Sequence, residues 1–127
     1  MSPIKVAIVE DDHDLQYLYK LKLGLAGFDV ATAGNGKEGL EVAKDFAPDI
    51  ILLDLMMPVM NGSEMLAELR SHAWGSDVRV VVLTNISKDE APQALRFLHV
   101  DRYIVKAHQT PAQIVNIIYE VLGRKPT

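Results

Sequence analysis

Short runs of apolar, often β-branched residues recur five times along the chain, and each is followed by a longer segment of mixed polarity. Several of the runs are continuous rather than alternating, which is typical of parallel strands that are covered on both faces. The pattern predicts strands at Ile4–Val9, Phe28–Ala33, Ile50–Leu53, Val78–Leu83 and Tyr103–Val105.

The segments between these runs carry apolar residues at helical spacing. In the fourth segment, for example, Ala91, Ala94, Leu95 and Leu98 stand at positions i, i+3, i+4 and i+7, which indicates one apolar face of a helix. The spacing predicts helices at Asp14–Ala26, Lys37–Phe46, Ser63–His72, Asp89–Leu98 and Pro111–Leu122.

Five strands that each precede a helix indicate an α/β domain with a parallel sheet. Because crossovers between parallel strands are right-handed, few strand orders remain. We expect a three-layer, doubly wound, five-stranded parallel sheet of order 2-1-3-4-5, formed by residues 1–123 and followed by a short tail at 124–127. Ligands of such sheets bind beyond the carboxyl ends of the strands, at the switch point between strands 1 and 3.

The composition excludes several functions. The chain has 127 residues, no cysteine and a net charge of −4, so disulfides and thiolate zinc sites are ruled out and there is no basic surface for nucleic acid. No apolar run approaches the ~20 residues that span a bilayer, and the first residues lack the pattern of a signal peptide. We expect a cytoplasmic protein without direct nucleic-acid binding or membrane insertion.

Polar residues stand where four of the predicted strands end. The first strand is followed by three acids, the third by one acid and the fifth by a lysine, while the fourth ends in a hydroxyl and an amide. These residues are Glu10, Asp11, Asp12, Asp54, Thr84, Asn85 and Lys106. The topology brings them to one edge of the sheet. For Asp12 we favour a structural role at the start of the first helix.

The acids at this edge point to a divalent cation. Carboxylates from neighbouring strand ends repel one another unless a cation lies between them or their pKa values shift. Mg²⁺ is typically held by one or two carboxylates together with water and phosphate oxygens. A carboxylate beside Mg²⁺ can accept a phosphoryl group, and Lys106 and Thr84 add a positive charge and a hydroxyl donor. The edge therefore has the groups that phosphoryl transfer to a carboxylate requires.

From about Ile4 to Leu122 the sequence resembles the response-regulator receiver family of two-component signalling. The resemblance is carried by Val9–Asp12, by Asp54–Pro58 with Asn61-Gly62, by Leu83-Thr84 and by Tyr103–Lys106. Each piece alone is common, but their order and spacing together are specific. The resemblance implies a flavodoxin-like receiver fold and a phosphorylation switch rather than an enzyme, since at most the domain promotes its own phosphorylation and dephosphorylation.

The resemblance also implies a role for each acid. Asp54 matches the phosphoacceptor, and Asp11 and Asp54 match direct ligands of Mg²⁺, for which Mn²⁺ can substitute. Glu10 matches the acid that holds a water of the ion, and Met56 contributes its backbone carbonyl. The phosphoryl donor is then a sensor histidine kinase or a histidine phosphotransfer protein, and the output is a downstream effector domain or protein.

A second group of residues matches the switch of the family. Thr84 corresponds to the hydroxyl that moves onto the phosphoryl group, Lys106 to the lysine that pairs with it, and Tyr103 to the aromatic residue that turns inward. Pro58 and Gly62 match the turn that shapes the loop after the phosphoacceptor.

The chain departs from the family pattern near the site. Ala107 follows the lysine where members usually carry proline, so we expect either a trans bond with a rearranged loop or a cis bond that costs about 2.5–4 kcal/mol. Asn85 is larger than the usual small residue after the switch threonine. Met56 and Ile86 occupy positions that border the path of hydrolytic water in the family. Both are apolar here, which favours slow dephosphorylation.

Two other functions are compatible with parts of the pattern. A receiver-like interaction module that works without phosphorylation is favoured by Ala107 and Asn85, but the intact acids and Thr84 argue against it. A phosphohydrolase with an aspartate nucleophile usually needs a second aspartate two residues later, and that position is Met56. Phosphorylation by a small phosphodonor separates the interaction module from the switch. Multiple turnover on a phosphate monoester would identify the phosphohydrolase.

Overall fold

The computed structural model describes residues 2–126. The strands are β1 (Lys5–Val9), β2 (Asp29–Ala33), β3 (Ile50–Leu53), β4 (Arg79–Thr84) and β5 (Arg102–Val105). The α-helices are α1 (His13–Leu25), α2 (Gly36–Asp45), α3 (Gly62–Ser71) and α4 (Pro111–Leu122). All five strands and these four helices were predicted from the sequence, and their bounds differ from the prediction by at most one residue at either end.

The five strands form one parallel sheet of order β2-β1-β3-β4-β5, which confirms the predicted fold. The register keeps the carboxyl ends of the strands level. Val9 at the end of β1 pairs with Leu53 at the end of β3, and Thr84 at the end of β4 pairs with Val105 at the end of β5. The residues that follow these strands therefore meet along one edge of the sheet.

The core lies in two layers, one on each face of the sheet. Helices α2 and α3 pack together on one face, and α1 and α4 pack together on the other. The central strand β3 is covered on both sides, and every residue of Ile50–Leu53 is at most 1% exposed. This burial is the physical reason for the continuous apolar runs in the sequence.

The predicted helix Asp89–Leu98 is wrong, because this segment forms two short 3₁₀ turns, Lys88–Glu90 and Gln93–Phe97. Pro92 lies between them, and a proline inside an α-helix removes a backbone donor and clashes with the preceding turn. Ala91 before it is accordingly extended, with φ −69° and ψ 151°, as residues before proline prefer. Proline therefore overrides the helical spacing of the apolar residues.

The loop after β5 resolves the two possibilities left open by Ala107. No peptide bond within residues 2–126 is cis, so the Lys106–Ala107 bond is trans. Residues Lys106–His108 form a 3₁₀ turn, which is the rearranged loop expected for the trans case. Among the helices that the structure describes, none is both long and apolar enough to cross a bilayer.

Candidate functional site

The acids predicted to bind a cation lie together at the switch point between β1 and β3. Glu10, Asp11 and Asp54 each offer a carboxylate oxygen, and these oxygens lie within 4.8 Å of one another. Glu10 and Asp54 are only 3% and 6% exposed, whereas Asp11 is exposed to solvent. The cluster is thus a set of carboxylate oxygens that is accessible to solvent on the side of Asp11, and oxygen ligands are the donors that Mg²⁺ prefers.

Lys106 reaches this cluster from the end of β5. Its Nζ donates a hydrogen bond to Asp54 Oδ2 at 3.0 Å and another to Glu10 Oε1. The side chain is 10% exposed. Burial opposes its charge, but the hydrogen bonds and charges of Glu10 and Asp54 outweigh burial, so the pKa of Lys106 is raised above its ordinary value. The lysine is therefore held as a cation between two carboxylates.

Glu10 is the acid most perturbed by its surroundings. Burial raises its pKa from 4.5 to about 7, and the negative charge of Asp54 acts in the same direction. The hydrogen bond and charge of Lys106 lower this pKa, but they offset the rise only in part. The three acids outnumber the single ammonium of Lys106, and a divalent cation would supply further positive charge and lower the pKa of Glu10. These residues fit a Mg²⁺ ion on this account as well as by ligand type.

Backbone contacts fix the position of Asp54. Its N–H donates to the carbonyl of Val9 at 3.0 Å, which ties the end of β3 to the end of β1. Its Oδ1 accepts from the N–H of Met56 at 3.3 Å, so the backbone of Met56 lies beside the carboxylate, while the Met56 side chain is 65% exposed. The structure therefore places the backbone, not the side chain, of Met56 next to the acid.

Thr84 and Tyr103, two of the predicted switch residues, both contact Ile86, which lies in the loop after β4. Thr84 is fully buried, and its Oγ1 accepts a long hydrogen bond of 3.5 Å from the N–H of Ile86. The Tyr103 hydroxyl donates to the carbonyl of Ile86 at 2.7 Å. Burial raises the pKa of Tyr103, so the hydroxyl keeps its proton and remains a donor. Asn85 between them is exposed.

Gly62 permits the close packing of the loop that follows Asp54. Its N–H donates to the carbonyl of Leu55 at 3.0 Å, and a Cβ atom at this position would overlap the backbone of Asp54 and Leu55. Asn61 caps α3 immediately before it. Only glycine therefore lets the start of α3 lie directly against the backbone of Asp54.

Gly62→Ala is expected to lower the free energy of unfolding by about 1–3 kcal/mol, the usual cost of overpacking, and to displace Asp54. Urea unfolding measures the first effect, and the phosphorylation rate measures the second. Gly24→Ala is the matched control, because a Cβ there meets no atom within 4 Å. A Gly62→Ala protein as stable as wild type would contradict this assignment.

Two residues of α1 that sequence reasoning missed lie close to the cluster. Gln16 donates from its side-chain amide to the carbonyls of Glu10 and Ala33. Tyr19 is buried, and its pKa is raised by burial and, to a smaller extent, by the charges of Glu10 and Asp54. A polar residue one turn into a helix that follows the acids is the only signal in the sequence, and it does not reveal the contact.

Comparison with known proteins agrees with this geometry. A sequence profile of the response regulator receiver domain matches residues 6–119. The chain is 39% identical over 121 residues to the transcriptional regulatory protein PrrA of Mycobacterium tuberculosis, a match that covers 95% of this chain and 51% of PrrA. The chain spans about half the length of the curated relatives it matches.

Solved structures give the same result. The chemotaxis response regulator CheY4 of Vibrio cholerae superimposes with a TM-score of 0.85 and 27% identity, over 94% of this chain and 98% of CheY4. The receiver domain of the sensor histidine kinase PA1611 from Pseudomonas aeruginosa, solved with a magnesium ion in its active-site cleft, has a TM-score of 0.86. This second match has 22% identity over 95% of this chain and 98% of that domain, so it supports the fold alone.

The chain therefore belongs to the response regulator receiver family of two-component systems.

Proposed function

We propose that this chain is a Mg²⁺-dependent phosphorylation switch that accepts a phosphoryl group on Asp54 from a histidine kinase or a histidine phosphotransfer protein. The observation that carries the proposal is the setting of Asp54, whose carboxylate lies within 4.8 Å of two other acids and 3.0 Å from Lys106 Nζ. Membership of the receiver family supports the same role. The relatives named as transcriptional regulators suggest that the output passes to an effector domain or protein.

In the transfer step this chain supplies the nucleophile, and the leaving group remains with the phosphoryl donor. A carboxylate oxygen of Asp54 attacks the phosphorus, and the bond from phosphorus to the donor nitrogen or oxygen breaks, which leaves an acyl phosphate on Asp54. Mg²⁺, when bound by Asp11, Asp54 and a water held by Glu10, would neutralise charge on the phosphoryl oxygens. Lys106 moves little, because its ammonium already contacts the attacking carboxylate.

Switching would follow from the charge that the phosphoryl group adds, about −1.5 to −2. This charge attracts the Thr84 hydroxyl and the Lys106 ammonium. Because Thr84 and Tyr103 share Ile86 as a hydrogen-bond partner, movement of the hydroxyl is passed to the aromatic side chain and to the surface around β5. A packing change at one loop thereby becomes a change in a binding surface.

The test is phosphorylation by acetyl phosphate with Mg²⁺, followed by mass spectrometry of the intact chain. The expected result is a labile phosphoryl adduct on wild type, located on Asp54, that is absent from Asp54→Asn and from wild type in EDTA. An adduct of equal yield on Asp54→Asn would overturn the assignment of the acceptor. A wild-type chain that stays unmodified would favour the interaction module that works without phosphorylation.

The lifetime of the phosphorylated form tests a separate part of the proposal. We expect slow hydrolysis, because Met56 and Ile86 are apolar at the two positions that border the path of hydrolytic water in the family, and neither side chain can orient a water molecule. Decay of the adduct after removal of acetyl phosphate measures this rate, and Met56→Asn is expected to accelerate it. A wild-type lifetime of seconds in buffer would rule this hypothesis out.

A further inference from the structure

The side-chain amide of Gln16 joins the ends of β1 and β2 at the edge where the acids lie. Its Nε2 donates to the carbonyl of Glu10 at 2.9 Å and to the carbonyl of Ala33 at 3.1 Å. The residue is part-buried in the first turns of α1. One side chain thus uses both of its donors on the backbone of two neighbouring strands.

These contacts fix the peptide group that connects Glu10 to Asp11, the acid proposed to bind the ion directly. The N–H of Glu10 donates to the carbonyl of Ala33 at 2.9 Å, and the carbonyl of Glu10 accepts from Gln16. The peptide that begins with this carbonyl leads directly into Asp11. Its orientation sets the direction in which the Asp11 side chain leaves the strand to meet Glu10 and Asp54.

Two further hydrogen bonds hold the same turn of backbone. The N–H of Asp12 donates to Glu10 Oε2 at 3.2 Å, and the Asp12 side chain caps α1 by accepting from the N–H of Leu15 at 3.1 Å. This confirms the structural role expected of Asp12. The acids and the first turns of α1 therefore form one hydrogen-bonded unit, in which Gln16 holds the backbone and Asp12 holds a carboxylate.

We propose that Gln16 is a positioning residue of the cation site, which orients the Glu10–Asp11 peptide so that the Asp11 carboxylate is set for a divalent ion. The proposal rests on the proposed function, since it needs that ion to bind among these acids. Groups that orient metal ligands without touching the metal typically change its affinity 10- to 100-fold when they are removed. A ligand that is already oriented loses less conformational freedom when the ion binds.

Gln16→Met tests this proposal, because methionine has a similar length and shape but no hydrogen-bond donor. Gln93→Met is the matched control, since Gln93 is exposed on the 3₁₀ turn that follows Pro92. The Mg²⁺ dissociation constant is measured by calorimetry, and unfolding by urea is measured in EDTA. We expect Gln16→Met to bind Mg²⁺ about tenfold more weakly, and Gln93→Met to bind it as wild type does.

A second readout separates positioning from simple loss of stability. At saturating Mg²⁺ the phosphorylation rate of Gln16→Met is expected to return to within about twofold of wild type, while the Mg²⁺ concentration for half-maximal rate rises by the same factor as the dissociation constant. An unchanged dissociation constant in Gln16→Met, with wild type still binding Mg²⁺ and becoming phosphorylated, overturns this inference alone. A wild-type chain that binds no Mg²⁺ overturns the proposed function together with it.

A nuclear magnetic resonance titration of wild type keeps the test valid if Gln16→Met does not fold. The side-chain amide signals of Gln16 are expected to shift during Mg²⁺ addition in step with the backbone signal of Asp11, while those of Gln93 stay in place. Gln16 signals that do not move while Asp11 shifts would overturn the inference.

Discussion

Lys106→Met is expected to slow phosphorylation of Asp54 by about 100-fold, which is the usual loss when one preorganised donor at a developing charge is removed. The lysine is the cation that contacts Asp54, at 3.0 Å, and it also bonds Glu10. Binding of Mg²⁺ should persist, because the variant keeps all three acids and frees oxygens that the ammonium now occupies. The predicted phenotype is therefore a protein that binds the ion but reacts slowly.

Initial rates with acetyl phosphate at saturating Mg²⁺ measure this effect, and calorimetry measures Mg²⁺ binding. Lys44→Met is the control, because Lys44 is exposed in the last turn of α2. A Lys106→Met protein that reacts as fast as the control would show that the lysine contributes no catalytic charge. One that no longer binds Mg²⁺ would show instead that it organises the acids.

The metal-free protein is expected to lose stability as the pH rises from about 5 to 8, and Glu10→Gln should remove most of this loss. A carboxyl whose pKa is higher in the folded protein than in the unfolded chain stabilises the fold fully below its unfolded pKa, and this contribution is lost as the pH rises through the folded value. For Glu10 the two values are 4.5 and about 7. The difference corresponds to a loss of about 3 kcal/mol at pH 8.

Urea unfolding in EDTA at several pH values measures this dependence. Glutamine keeps an oxygen that can accept from Lys106 but carries no charge, so Glu10→Gln should exceed wild type in stability at pH 8 and equal it near pH 4. Glu41→Gln is the control, because Glu41 is exposed on α2. Added Mg²⁺ should stabilise wild type most at high pH, where Glu10 has lost its proton. A wild-type stability that stays flat across this range would refute the shifted pKa.

The sequence was sufficient to predict the sheet and the meeting of three acids at one edge of it. The runs at β1 and β3 are continuous because both faces of these strands are buried, and the acids stand out because they follow such runs. Right-handed crossovers then place Glu10, Asp11 and Asp54 together. Each of these steps uses either the local pattern of apolar residues or the order of strands and helices, and both can be inferred from a single sequence.

Two features were beyond that reasoning for different physical reasons. The segment 89–98 has four apolar residues at helical spacing. Pro92 removes a backbone hydrogen bond and clashes with the preceding turn, and this cost exceeds what a helix would gain by burying the four residues. The contact of Gln16 depends on how α1 packs over the end of β1. A side chain that bonds to the backbone of two strands leaves no periodic signal, so only the coordinates reveal it.

The placement of Lys106 also needed the structure. The absence of proline after the lysine left two loop conformations open. The cost of a cis bond concerns only the peptide bond, and it does not say where the rest of the loop places the lysine side chain. The trans bond and the 3₁₀ turn at Lys106–His108 still bring the ammonium to Asp54. The main sequence argument for an interaction module without phosphorylation thereby loses its structural basis.

The hydrogen bonds that Ile86 makes with Thr84 and Tyr103 use its main-chain atoms. In the proposed switch, these hydrogen bonds can form whichever side chain stands at this position. In the proposed switch, a substitution at position 86 would therefore be expected to change the lifetime of the phosphorylated form while both main-chain hydrogen bonds are kept. The proposed switch would thus set its lifetime with the side chain of one residue and its link from Thr84 to Tyr103 with the main chain of the same residue.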